Sequence, residues 1–96
     1  MNFLTSDLPK SALVVLDHIT AEGPLAPRDI SNKFNLPLRT VSFALKKLMN
    51  LNLLFKTPNL MDMRKPQYRT NNERVREMHE VIDLLRAQMN IQFRAI

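Results

Sequence analysis

Residues 28–49 read RDISNKFNLPLRTVSFALKKLM, and this stretch decides the fold. Ile30 and Phe34 are four residues apart, so they share one face of a first helix. Asn35 tolerates the left-handed conformation that closes a helix. Pro37 is a favourable start for the next helix because its missing N–H is not needed there. The stretch therefore predicts two helices joined by a tight turn.

The second of these helices, predicted over about residues 38–49, has two different faces. Val41, Leu45 and Leu48 fall at i, i+4 and i+7 and form an apolar back. The opposite face carries guanidinium, hydroxyl and ammonium groups and one aromatic ring, on Arg39, Thr40, Ser42, Phe43, Lys46 and Lys47. A helix with a packed back and such a front has what is needed to lie in the major groove of DNA.

The charge of the chain is concentrated around this helical pair. The net charge is +5, yet residues 28–70 hold nine Lys or Arg against two acidic residues. Residues 1–27 are acidic overall, and residues 71–96 are neutral. A basic excess confined to the middle of the chain is the electrostatic footprint expected for a polyanionic partner.

Composition excludes several other classes of protein. A chain of 96 residues suits one small domain, and the absence of cysteine excludes disulfides and cysteine-based zinc sites. No signal peptide and no membrane-length apolar run is present. The single glycine, and the lack of a nucleophile in a recognisable spacing to His18 or His79, argue against an enzyme. We expect no metal and no cofactor.

The segments before the pair read as one further helix. N-cap candidates lie at residues 5–7, with Pro9 in the first turn of a helix that continues to roughly Ala21. Gly23 is placed to end that helix, and Pro27 to open the next one after a short extended stub.

The segment after the pair reads as a hairpin. Residues 53–56 and 67–70 are strand candidates, and the two prolines in residues 57–66 make that segment a loop. The result is a wing whose tip carries the charged residues Asp62, Arg64 and Lys65.

The last segment, residues 72–96, reads as one long helix. Apolar residues spaced three and four apart give it a heptad seam, formed by Val75, Met78, Ile82, Leu85 and Met89. A rod of roughly 30 Å has more apolar side chain than a small domain covers, so we interpret it as a dimerisation helix. A helix that folds back on its own domain is the alternative. The chain thus divides into residues 1–71 and 72–96.

The order helix, helix-turn-helix, hairpin, long helix is that of a winged helix-turn-helix domain, a mainly α fold of the α+β kind. Residues 23–54, GPLAPRDISNKFNLPLRTVSFALKKLMNLNLL, resemble the MarR (multiple-antibiotic-resistance regulator) family and the related archaeal TrmB-like transcription regulators. The loop sequence Asp62-Met63-Arg64 is similar to the wing signature Asp-x-Arg of that family.

The resemblance implies a homodimeric, DNA-binding regulator of transcription. Helix 38–49 would enter the major groove, and the wing, residues 57–66, would lie at the minor groove with Arg64 inside it. The candidate DNA-binding residues are Arg28, Arg39, Thr40, Ser42, Phe43, Lys46, Lys47, Arg64 and Lys65. The partners would be double-stranded DNA and a second copy joined through the C-terminal helix, with no membrane. We expect a cytoplasmic, nucleoid-associated protein.

Two other functions remain open at this point. A winged helix with a C-terminal coiled coil and an aromatic residue, Phe43, on its recognition face also resembles small archaeal chromatin proteins that coat DNA without sequence preference. Winged helices also serve as protein–protein adaptors, in which case the basic helix would meet an acidic partner.

Overall fold

Five helices and one two-stranded hairpin make up residues 8–89, the part of the chain that the computed structural model describes. In chain order these elements are α1 (Lys10–Glu22), α2 (Pro27–Phe34), α3 (Leu38–Asn50), β1 (Leu54–Thr57), β2 (Gln67–Thr70), α4 (Asn72–Glu77) and α5 (His79–Met89). The N-cap candidates at residues 5–7 lie outside the described residues.

The ends of α1 and α2 follow the predicted signals closely. Pro9 was predicted in the first turn of α1, but it is the residue immediately before the helix, which begins at Lys10. Gly23 has φ +91°, and its N–H donates to the carbonyl of Ile19 at 2.9 Å, which closes the helix. Pro27 is the first residue of α2, where a missing N–H costs nothing.

The turn between α2 and α3 is held by a short network. Asn35 adopts the left-handed conformation with φ 55°, as the sequence predicts. The Leu36 N–H donates to the Ser31 carbonyl at 3.0 Å, and the Ser31 hydroxyl donates to the Leu36 carbonyl at 2.6 Å. These reciprocal bonds fix the direction in which α3 leaves the turn, after Pro37.

The hairpin is antiparallel, and Leu54 pairs with Thr70. Its first strand begins and ends one residue later than predicted, and its second strand is the predicted one. A single bridge adds the stub at Leu25: its N–H donates to the Tyr68 carbonyl at 3.1 Å, and the Tyr68 N–H donates back at 2.8 Å. The wing is thereby joined to the segment that leads into α2.

The C-terminal segment differs from the uninterrupted rod that was predicted. The helix is interrupted at Met78, whose φ of −103° and ψ of 10° separate α4 from α5. Three seam residues, Met78, Ile82 and Leu85, are at most 6% exposed and belong to the same core as α1 and α3. Val75 packs at the edge of that core, and the side chain of Met89 lies outside the described part.

The alternative of a helix that folds back on its own domain therefore describes α5, which contacts α1. A charged contact accompanies the apolar one, because the Arg86 guanidinium binds the carboxylate of Asp17 on α1. Burial raises the pKa of Asp17, against the lowering effect of Arg86. A subunit contact through the C-terminal helix stays a prediction, and Met78, Ile82 and Leu85 are not available for it while they occupy this core.

The core also explains the placement of α3. Val41, Leu45 and Leu48 are at most 3% exposed and face α1, so the opposite side of the helix is turned outward.

No helix within residues 8–89 is long and apolar enough to cross a membrane. A three-helix core followed by a β-hairpin is the winged helix-turn-helix architecture, as the sequence predicted.

Candidate nucleic-acid interface

The outward face of α3 carries four of the predicted side chains together. Arg39, Ser42, Phe43 and Lys46 are all exposed, and their spacing of three, four and seven residues places them on one side of the helix. Phe43 is 50% exposed, so an aromatic ring stands among the polar groups. Because the apolar side of α3 is buried in the core, this opposite face is exposed to solvent.

Thr40 and Lys47 flank this face and are only partly exposed. The Lys47 ammonium lies 5.4 Å from the centroid of the Phe43 ring, a cation–π distance. Lys47 therefore supports the position of the ring as well as adding positive charge beside it.

The wing and the start of α2 meet the outward face of α3 in a groove of about 250 Å³. Side chains from three separate parts of the chain line it, among them Arg28, Ser42, Arg64 and Lys65. Arg28 follows Pro27 in the first turn of α2, and Arg64 and Lys65 follow the wing tip. The fold thus brings together four predicted residues that are up to 37 positions apart in the sequence.

A second groove adjoins the first and shares Pro27 and Ser42 with it. Its other lining residues include Lys46 on α3 and Lys56 on β1. The sequence prediction did not include Lys56, although Lys56 fell within the predicted strand. The pairing register of the two strands would have been needed to predict it. In that register Lys56 is opposite Tyr68, and both residues line the second groove.

We call this combined region the basic surface. It consists of Arg28, Arg39, Ser42, Phe43, Lys46, Lys56, Arg64 and Lys65.

The two carboxylates of residues 28–70 are both engaged by backbone N–H groups, and Asp62 also pairs with the Arg64 side chain. Asp29 accepts from the N–H of Ala26 at 3.4 Å and caps α2. Asp62 accepts from the N–H of Arg64 at 3.1 Å and from its side-chain Nε at 3.3 Å. The Arg64 side chain is nevertheless 91% exposed. The aspartate of the Asp-x-Arg sequence therefore shapes the loop and orients the arginine.

Lys33 and His18, both near the helix-turn-helix, have partners within the chain. The Lys33 ammonium lies 2.5 Å from the Glu22 carboxylate. The His18 ring stacks on Phe34, with centroids 3.6 Å apart. Within residues 8–89, no three His, Cys, Asp or Glu side chains are grouped closely enough to hold a metal ion.

Comparison with known proteins gives results only at the level of structure. No family model matches the sequence, and no curated protein matches it. Solved structures do match, across most of the chain.

Three of these structures illustrate the similarity. The transcriptional regulator PcaV from Streptomyces coelicolor has a TM-score of 0.71 at 25% identity, over 88% of this chain and 62% of PcaV. The MarR protein from Peptoclostridium difficile has a TM-score of 0.68 at 17% identity, over 90% of this chain and 56% of that protein. FabT from Streptococcus pneumoniae, solved in complex with DNA, has a TM-score of 0.65 at 18% identity, over 86% of this chain and 57% of FabT.

The class that the fold defines is therefore the winged helix-turn-helix. The structural neighbours of the chain are MarR-family transcriptional regulators, and such regulators are not enzymes. The chain spans 56% to 62% of the length of the three structures described above.

Proposed function

We propose that this protein is a DNA-binding regulator of transcription whose basic surface contacts double-stranded DNA. The observation that carries the proposal is the convergence of Arg28, Lys46, Arg64 and Lys65 on two adjoining grooves at the outward face of α3. The sequence predicted all four of these residues, which lie in three separate segments of the chain. Convergence of cations around one exposed helix face is the arrangement that phosphate binding requires.

In this proposal α3 enters the major groove and the wing lies over the adjacent minor groove. Arg39 and Ser42, in the first half of α3, would reach base edges and the phosphates that flank them, because the N-terminal part of a recognition helix lies deepest in the groove. Lys46 and Lys47 would contact phosphates. Arg64, 91% exposed beyond the hairpin, would reach into a narrow A·T-rich minor groove, which attracts a guanidinium.

We further propose that two copies act together on one duplex, with their α3 helices about 34 Å apart in successive major grooves. The contact between the copies would involve the C-terminal helix. Because Met78, Ile82 and Leu85 are buried in the single chain, this contact would use the exposed side of α5, where Leu84 is 57% exposed. We place the protein with chromosomal DNA in the cytoplasm.

Salt dependence of binding tests the proposal directly. We would measure the affinity for a fluorescein-labelled, random-sequence duplex of about 30 base pairs, which offers successive major grooves. With four or five phosphate contacts per subunit, log affinity should fall against log salt with a slope of about −4 per subunit. A slope near zero would contradict the proposal.

A pair of matched variants locates the contacts. Arg39→Ala combined with Lys46→Ala should reduce the magnitude of the slope by about two. The control, Lys10→Ala combined with Arg76→Ala, removes the same two charges from exposed positions on α1 and α4, which contribute nothing to the basic surface. Equal effects of the two double variants would mean that only net charge matters. If neither double variant changes duplex binding at moderate salt, the alternative function, a winged helix that acts as a protein–protein adaptor, gains support.

One observation favours a second candidate, a chromatin protein that coats DNA without sequence preference. Phe43 is half-exposed at the centre of the outward face of α3, and an aromatic ring cannot discriminate bases by hydrogen bonds. Competition separates the two functions. A duplex selected from a random pool should outcompete the unselected pool by at least about a thousandfold for a specific regulator, and by little for a coating protein.

A further inference from the structure

The tip of the wing exposes three apolar side chains where a charged loop was expected. Leu60 is 86% exposed, Met61 is 94% exposed and Met63 is 69% exposed. They account for three of the seven large apolar side chains that residues 8–89 leave exposed. Three large apolar side chains exposed within four consecutive residues form a cluster of the kind that marks a contact with a partner.

The loop holds these side chains in a defined position. The Met61 N–H donates to the side-chain oxygen of Asn59 at 3.0 Å, and the Asp62 N–H donates to the Asn59 carbonyl at 3.1 Å. A second turn follows, in which the Lys65 N–H donates to the Asp62 carbonyl at 2.9 Å. Leu60 and Met61 are therefore the two central residues of the first turn, and the hydrogen bonds of the two turns fix the backbone that carries them.

The surroundings of the tip indicate the chemistry of the partner. Arg64 and Lys65 follow the apolar residues directly and line the groove shared with Arg28 and Ser42. The apolar tip is thus continuous with the basic surface, and the partner must offer negative charge next to an apolar layer. The minor groove of DNA does so, because phosphates border a stack of base pairs.

We propose that Leu60 and Met61 act as an apolar wedge that enters the minor groove between two base pairs and bends the duplex. This inference rests on the proposed function and adds to it a deformation of the DNA. The flexible, polarisable thioether of Met61 suits the irregular gap of a partly unstacked step. Arg64 would lie in the same groove and stabilise the unstacked step through its charge.

The test measures bending and unstacking on the full chain. A duplex of about 30 base pairs would carry a donor and an acceptor dye at its ends, since wedge proteins bend DNA by about 20–90°. A second set of duplexes would carry 2-aminopurine at successive A·T positions, because its fluorescence rises when stacking is lost. The unmodified protein should shorten the end-to-end distance and increase 2-aminopurine fluorescence at one step in each half of the site.

The variants are chosen to leave the fold intact. Met61→Gln keeps the length of the side chain but makes it polar, at a position that is 94% exposed. Bending and the 2-aminopurine signal should both be lost, while duplex affinity falls by no more than about tenfold, the loss of one apolar contact. Phe55→Gln, at an apolar position on β1 that is 42% exposed and lies outside the basic surface, is the matched control and should leave bending and unstacking unchanged.

Each outcome decides between stated possibilities. If the unmodified protein binds and Met61→Gln changes neither signal, the wedge is refuted and the proposed function stands. If the unmodified protein binds no duplex, both fall. Sedimentation with vesicles of phosphatidylserine and phosphatidylcholine covers the other anionic partner with an apolar layer. Vesicle binding that depends on Met61, with no unstacking of DNA, would also overturn the wedge.

Discussion

The α3 helix and the C-terminal helix α5 have the same amphipathic plan and opposite surroundings. Each buries an apolar stripe in the common core, Val41 and Leu45 in one case and Ile82 and Leu85 in the other. They differ in what happens to their charges. The Arg86 guanidinium of α5 binds Asp17 and also lies 3.3 Å from Asp83, whereas Arg39 of α3 makes no ion pair within residues 8–89.

The difference shows which property distinguishes an internal helix from one that faces a partner. Apolar periodicity predicts that a helix is packed, but it does not say whether its polar side is satisfied within the chain. On α5 the one arginine, Arg86, is paired with Asp17 and Asp83, and the pair with Asp17 ties the helix to its own domain. On α3 the cations form no ion pair within residues 8–89, so their positive charge remains to attract a polyanion.

The largest expected effect comes from the apolar side of α5. Ile82 is 2% exposed, so Ile82→Ala should lower the free energy of unfolding by about 3 kcal/mol through lost burial and the cavity left behind. Urea denaturation followed by circular dichroism measures this. Leu84→Ala, two residues away and 57% exposed, is the control and should stay within about 0.5 kcal/mol.

The same pair of variants separates the two interpretations of the C-terminal helix. If Ile82→Ala leaves the unfolding midpoint unchanged but abolishes self-association in sedimentation, its side chain belongs to a subunit contact. The difference between α3 and α5 described above would then fail, because the apolar side of α5 would face a partner and not the core of its own chain.

The next effect concerns the ion pair between α5 and α1. Arg86→Met keeps the aliphatic length but leaves the Asp17 carboxylate, 11% exposed, without its cation. We expect a loss of about 2 kcal/mol at neutral pH, more than for Asp17→Asn, because an unbalanced buried charge costs more than an absent pair. Urea unfolding of both variants at pH 7 provides the comparison. A larger loss for Asp17→Asn would contradict it.

The pH dependence of this pair has a definite sign. Burial raises the pKa of Asp17 above its ordinary value of 3.8, so the folded state holds this proton more tightly than the unfolded state. The contribution of Asp17 to stability is therefore present below its ordinary pKa and declines as the pH rises through the raised pKa. The free energy of unfolding of the unmodified protein, taken relative to that of Asp17→Asn, should therefore fall as the pH rises through the raised pKa. Arg86→Met removes the cation that lowers the pKa of Asp17, so in that variant the fall in stability should extend to higher pH.

Local signals in the sequence predicted the boundaries of the helix-turn-helix, since Gly23, Pro27 and Asn35 act through their own backbone preferences. The fold-back of α5 could not be predicted in the same way. A heptad seam shows that one face is apolar but not which surface covers it, and the charged contact that accompanies the packing joins Asp17 to Arg86, 69 positions apart. Lys56 was missed for a related reason, because strand register decides which groove it lines.

The smallest expected effects on the free energy of unfolding come from one arginine in the C-terminal helices, Arg74, and one on the outward face of α3, Arg39. The Arg74 side chain of α4 donates from Nε to the Leu51 carbonyl at 3.0 Å and pairs with Glu77 at 3.1 Å. Arg74→Ala should therefore cost about 1 kcal/mol of unfolding free energy, the worth of one satisfied hydrogen bond. Arg39→Ala removes an exposed side chain that has no ion pair within residues 8–89, and should stay within about 0.5 kcal/mol.

Duplex binding should reverse this order. Arg39→Ala should weaken binding to the labelled duplex and reduce the magnitude of the salt slope by about one, while Arg74→Ala leaves both unchanged. The reversal follows because the positive charge of Arg74 is already used within the chain, whereas that of Arg39 is directed outward. If Arg39→Ala destabilised the fold as much as Arg74→Ala and left duplex binding unaffected, the outward face of α3 would be as internally satisfied as the C-terminal helices. Its cations would then offer nothing to DNA.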